Sequence, residues 1–224
     1  MSQQAYKGDV LQRIGGIGLI LGGILTIVGT VSFPLPDDAS IASYIKAMGD
    51  NPDQARISLL AFILGSLPLV AGLAAIYRAI ATGAAAAWVR LGFYGYLVGT
   101  AMISVYNGLG LATIKAAEAG AATLADTLWA AADSVFAVSA LTLWTSLVFL
   151  GIGLTVSTVY PKWIGLVLII ASAVAAIVGS IPRIFGDATM ATELVFAAGA
   201  MVTTVMTLVL GIIITRREMK AMKA

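Results

Sequence analysis

The chain has 224 residues, 60% of them apolar and 11% charged, with a formal net charge of +2 and neither cysteine nor histidine. Soluble domains carry about 25% charged residues, so this composition excludes an ordinary water-soluble core. The missing Cys and His exclude disulfides, thiol catalysis, Cys-held iron–sulfur clusters and imidazole ligation of haem or zinc.

Residues 1–13 are polar and carry Lys7 and Arg13. The first apolar span runs from Ile14 to Phe33. Its basic flank is that of a signal peptide, but the run is too long for an h-region. Phe33-Pro34-Leu35-Pro36 is no small-residue cleavage site, so the span is expected to stay attached. Gly18 and Gly22 form a GxxxG pair, with Gly15 on the same side, and such a face lets another helix approach closely. Pro34 and Pro36 end the helix. Ile41, Tyr44, Ile45 and Met48 recur at i, i+3, i+4 and i+7, which predicts a short amphipathic helix on the membrane surface, stopped at Gly49. Asn51-Pro52-Asp53-Gln54 then reads as an N-cap, a Pro at the first helical position and a capping box. The second span is Ile57 to Tyr77, and Pro68 is expected to kink it.

Arg78 and Arg90 bracket a short Ala-rich connection to the third span, Leu91 to Ile114, which holds a second GxxxG pair, Gly95 and Gly99. This helix is expected to continue through Lys115 and Glu118 to a Gly120 C-cap. Thr123 and Asp126 form a capping-box-like start to the next helix, which is apolar from Ser134 to Tyr160. That fourth span covers about 40 Å, more than the ~30 Å of a bilayer core. Tyr160-Pro161-Lys162-Trp163 is a tight turn before the fifth span, Trp163 to Pro182. The sixth span is Leu194 to Thr215, followed by Arg216, Arg217, Lys220 and Lys223. The fold class is all-α: one polytopic membrane domain over residues 1–224, with six transmembrane helices and a short external amphipathic helix.

Six spans place both termini on one side. That side carries nine of the cations (Lys7, Arg13, Arg78, Arg90, Lys162, Arg216, Arg217, Lys220 and Lys223), against four on the other (Lys46, Arg56, Lys115 and Arg183). The positive-inside rule makes both termini cytoplasmic, in a prokaryotic plasma membrane. Tyr77, Trp88, Tyr160 and Trp163 mark the inner boundary and Trp129 the outer one.

The six apolar runs contain no Lys, Arg, Asp or Glu, so no buried lysine is available for a Schiff base and no mid-membrane carboxylate for proton coupling. Polar candidates gather near the outer end. Tyr106 and Asn107 lie in the far third of the third span, and together with Asp133, Arg183 and Glu193 they define a possible ligand vestibule. The plainer reading is that Asn107 bonds a neighbouring helix and Asp133 caps or solvates a helix start. Trp144, in mid-span, is expected to pack inside the bundle, and Thr203, Thr204 and Thr207 to bond back to helical carbonyls.

The partners these features imply are the bilayer and other membrane subunits or further copies of the chain. The absence of a basic stripe with interleaved aromatics argues against nucleic acid. No catalytic motif and no cofactor or metal site is found. The leading expectation is a non-catalytic accessory or assembly subunit of a membrane complex, packed through its Gly/Ala faces. Its rival is a small carrier or lipophilic-ligand binder using the outer vestibule.

The order of features resembles a family of bacterial six-span membrane proteins, the DUF4386 type. The likeness is carried by the Gly-rich first span, the surface helix leading through Asn51 and Arg56, Asp133-Ser134-Val135-Phe136 before span four, and Tyr160-Pro161-Lys162-Trp163-Ile164-Gly165 opening span five. It departs from the family after Arg90, where Leu91, Gly92 and Phe93 stand in place of an expected acidic neighbour. The resemblance implies six helices in a prokaryotic plasma membrane and transfers no activity or site residues.

Overall fold

The computed structural model describes residues 9–221. The described residues are all-α, with helices α1 (Val10–Ser32), α2 (Ile41–Asp50), α3 (Pro52–Ala79), α4 (Ala86–Glu118), α5 (Ala122–Val156), α6 (Lys162–Val174), α7 (Ile181–Phe185) and α8 (Met190–Ala221). A π-helical stretch, Ala175–Ser180, joins α6 to α7, so Lys162–Phe185 acts as one span. Six helices are long and apolar enough to cross a membrane, and the protein is membrane-embedded.

The helices overrun the apolar stretches because their ends are capped in the polar layer. Helix α1 begins at Val10 rather than Ile14, since the Asp9 carboxylate accepts the Leu11 N–H at 2.9 Å. It stops at Ser32, where Phe33 is extended ahead of Pro34. Helix α4 ends at Gly120 in a left-handed turn (φ +70°), with Gly120 N–H donating to Ala117 O and Ala121 N–H to Ala116 O. This reciprocal pair satisfies the last carbonyls and hands the chain straight to α5.

Two expected boundaries shift for that kind of reason, and one expected capping bond is not made. Ala122 is already helical, so Thr123 is not the cap of α5, and its carbonyl accepts the Thr127 hydroxyl instead. Helix α2 runs through Gly49 to Asp50, stopped by the Asn51-Pro52 junction. Asn51 occupies the N-cap position of α3 but makes no capping bond, because its amide turns back to Ala47 O at 3.4 Å.

Each spanning helix lies against the next one in the chain, and α8 closes against α1, giving a ring in the order α1, α3, α4, α5, α6 and α8. Aliphatic side chains fill its middle, among them Leu19, Ile76, Val89, Leu154, Ile164, Leu168, Leu210 and Ile214. Close approach is made by glycine. A Cβ on Gly18 would meet Pro68 O of α3 at 2.6 Å, and one on Gly22 would meet Gly65 O at 2.8 Å. A Cβ on Gly99 would meet Leu143 Cγ of α5 at 2.7 Å, and Gly95 lies against Ser146 of the same helix. All four glycines of the two GxxxG pairs thus face neighbours within the chain. Gln12, buried near the start of α1, adds a bond from its amide to Ala75 O of α3 at 2.7 Å.

Helix α2 lies across the end of the ring opposite the termini, touching α3, α4 and α5. Tyr44, Ile45 and Met48 of its apolar stripe turn toward the protein, while Ile41 at its start stays exposed. Met48 is fully buried with Leu59, Ile114 and Trp129, and Tyr44 and Ile45 lie against them. Trp129 is therefore a core residue, 2% exposed, and not part of an outer aromatic belt. At the other boundary Tyr160 is likewise buried, while Trp88 and Trp163 remain exposed.

Candidate functional site

The polar residues near the α2 end are brought together by the way α6 terminates. The π-helical stretch widens the turn at Ala175–Ser180, a feature that often marks functional positions. Within it Gly179 lets Phe196 of α8 come close, since a Cβ there would meet Phe196 Cβ at 2.7 Å. The short α7 follows, and Gly186 (φ +78°) ends it, with Asp187 N–H donating to Pro182 O at 2.9 Å. Arg183 is thereby held at the mouth of the ring. Helix α8 then starts from a reciprocal Thr189/Thr192 cap, which sets Glu193 in the first turn, where the helix dipole favours a carboxylate.

Arg183 joins three helices. Its Nη1 donates to Asp133 Oδ1 of α5 at 2.7 Å, and its Nη2 donates to Glu193 Oε1 of α8. The Arg183 side chain is 10% exposed, that of Asp133 31% and that of Glu193 17%. The guanidinium carbon also lies 4.8 Å from the centre of the Phe136 ring, a distance at which the ring face attracts a cation. Phe136 stands one turn after Asp133, and Phe196 one turn after Glu193. Each acid thus has a phenyl ring beneath it on the same helical face, and the two rings meet at 5.5 Å.

Tyr44 of α2 faces the same three charges. Burial is the main force raising its pKa above the ordinary 10.0; the Glu193 charge adds to that and the Arg183 charge opposes it. The phenol is accordingly neutral across the physiological range. A continuous file of rings runs inward from α2: Tyr44 to Trp129 (5.7 Å), Trp129 to Tyr106 (5.9 Å), Tyr106 to Phe136 (4.9 Å), Phe136 to Phe196, and Phe196 to Trp144 (5.5 Å).

Of the five residues expected to line a vestibule, Asp133, Arg183 and Glu193 bond directly, and Tyr106 joins them through the Phe136 ring. Asn107 does not. It is fully buried, and neither its Nδ2 nor its Oδ1 has a hydrogen-bond partner among the described residues. Adjacent helical residues point about 100° apart, so Tyr106 and Asn107 serve different faces of α4. Trp144 packs edge-on against Phe196, with its indole N–H also unpartnered. Thr203, Thr204 and Thr207 bond back to Ala200 O, Ala200 O and Thr203 O.

The contributions of Tyr44, Phe136 and Phe196 are absent from the sequence reading. The repeated acid-x-x-Phe spacing at Asp133/Phe136 and Glu193/Phe196 was the available signal, but it becomes meaningful only once α5 and α8 are known to face Arg183. Among the described residues no group of His, Cys, Asp and Glu is arranged to hold a metal ion. Chemically the cluster is one cation shared by two carboxylates, with a neutral phenol above and rings below. It ties three helices together. No family model, curated protein or solved structure matches the chain.

Proposed function

We propose that this chain is a non-catalytic accessory or assembly subunit of a membrane complex, seated in a prokaryotic plasma membrane with both termini cytoplasmic. One observation carries the reading: the charged groups at the mouth of the ring are committed to one another, Arg183 to both Asp133 and Glu193. A buried cation held by two acids is a structural tie, and separating such a pair is costly. The nine-to-four division of cations supports the orientation, and the DUF4386-type resemblance supports the membrane and the kingdom.

The surface for a partner is not the glycine faces, which are filled within the chain. It is the large aliphatic rows left outside, such as Ile14, Leu21, Ile24 and Val28 on α1 and Ile57, Leu60, Leu64 and Leu67 on α3. Native mass spectrometry of the protein extracted in mild detergent tests this. A stoichiometric membrane partner or a defined oligomer is expected; a strictly monomeric protein without a partner overturns it.

The unpartnered amide of Asn107 favours a second reading, a small carrier or lipophilic-ligand binder. Thermal-shift screening in proteoliposomes separates the two. A ligand that stabilises wild type and not Asn107→Leu selects the binder.

A further inference from the structure

A groove of about 480 Å³ runs along the outside of the α4–α5 pair. Its floor forms where Gly95 meets Ser146, an approach that leaves no room for a side chain on α4. Leu91 and Tyr94 make one bank, and Leu141, Thr145 and Phe149 the other. From Leu141 to Phe149 the α5 wall is about 12 Å long, most of the ~15 Å depth of one leaflet.

The wall makes little polar demand. The hydroxyls of Thr142 and Ser146 are already bonded to Val138 O and Thr142 O of their own helix. The groove therefore suits a hydrocarbon chain and not a sugar or peptide. Its end nearest the chain termini is different. There Arg90 is exposed, and no acidic side chain among the described residues pairs with it. Arg56, Arg78 and Arg183 all have carboxylate partners. Trp88 sits beside Phe149 (rings 6.0 Å apart) at the same level and remains partly exposed, as an interfacial indole does.

We propose that this groove is a binding site for an anionic phospholipid, one acyl chain lying between α4 and α5 and the headgroup phosphate paired with Arg90. A planar guanidinium presents paired donors that match a phosphate, and an unbalanced cation at the headgroup level prefers a lipid of net negative charge. The site depends only on the protein being membrane-embedded, and stands or falls independently of the accessory-subunit reading.

Native mass spectrometry in detergent, with phosphatidylglycerol or phosphatidylcholine of identical chains, tests the site. Wild type is expected to retain phosphatidylglycerol about tenfold more tightly. Arg90→Gln removes that preference while still binding both lipids weakly. Thr145→Trp, which adds bulk at an exposed groove position, abolishes retention of both, with lipid-free thermal unfolding unchanged. Equal retention of the two lipids by wild type overturns the proposal, as does a preference that survives Arg90→Gln. Competition by glycerol phosphate as effective as by the whole lipid overturns the chain-binding part. A wild-type dimer that Thr145→Trp dissociates assigns the groove to a second copy and also overturns it. If Thr145→Trp fails to fold, Arg90→Gln, at an exposed position, decides the matter alone.

Discussion

The two ends of the ring solve the same packing problem with different proportions of glycine contacts, rings and polar ties. Toward the termini the helices meet backbone to backbone. Gly18 lies on Pro68 O, Gly211 on Gly16 O, and Gly92 on Ser146 O and Leu150 N, all within 3 Å of where a Cβ would stand. At the α2 end the helices are joined by a file of rings and a shared cation. In lipid no hydrophobic force draws helices together, so close dispersion contact and polar ties must do it. The glycine end relies mainly on the first, with the Gln12 bond to Ala75 O as a local polar tie, and its close glycine contacts leave no room for a Cβ. The aromatic end uses both, and its groups can be removed one at a time.

The most disruptive test of that contrast is at the glycine end. Gly18→Leu must displace Pro68 backbone, and a loss of about 3 kcal/mol or more is expected in SDS-titrated mixed micelles. Gly108→Ala, which meets nothing within 4 Å, should be neutral or gain about 0.5–1 kcal/mol as a helix-interior Gly→Ala change. If Gly18→Ala proves as neutral as Gly108→Ala, the distinction fails.

At the aromatic end, Arg183→Met strands two carboxylates and should cost about 2–3 kcal/mol, below the fully buried figure because Asp133 is partly exposed. Adding Glu193→Gln should recover part of the loss, and unfolding free energies of the single and double variants measure it. Asn107→Leu is expected to stabilise by about 1 kcal/mol, since it removes a buried amide with no bond to lose. A loss of similar size would instead reveal a partner for the amide.

The finest test uses pH. Burial raises the Tyr44 pKa in the folded protein above its ordinary 10.0. Below pH 10 the phenol is neutral in both states and its contribution is complete. As pH rises past 10 the unfolded chain loses its proton first, so stability falls until the folded phenol also ionises. Tyr44→Phe should flatten that alkaline decline in unfolding midpoints measured from pH 8 to 11, while leaving the neutral midpoint nearly unchanged.

Much of the fold was readable in the chain because lipid is a severe solvent. A run such as Ile14–Phe33 without a charge has few alternatives to a spanning helix, and the Gly120 turn and the Phe33-Pro34 stop appear where residue chemistry puts them. Boundaries slipped where one cap displaced another, as when the Gly120 turn started α5 before Thr123. The site was half legible. Asp133, Arg183 and Glu193 stood out as charges flanking apolar runs, but Asn107 was grouped with them on the strength of its depth alone. In sequence Tyr44 reads as one residue of an amphipathic stripe, and Phe136 stands out only within Asp133-Ser134-Val135-Phe136.

The sequence by itself determined that there are six spans, roughly where they end, and which ends carry the positive charge. Each of these follows from local runs of residues measured against the thickness of a bilayer. Only the tertiary structure decided that the glycine pairs face neighbouring helices of the same chain, that α2 turns Tyr44, Ile45 and Met48 to the bundle, and that Arg183 reaches acids 50 and 10 residues away. Those outcomes depend on how each helix is rotated about its axis, which the π-helical stretch, the Gly186 turn and the neighbours set together, and no single segment encodes that rotation.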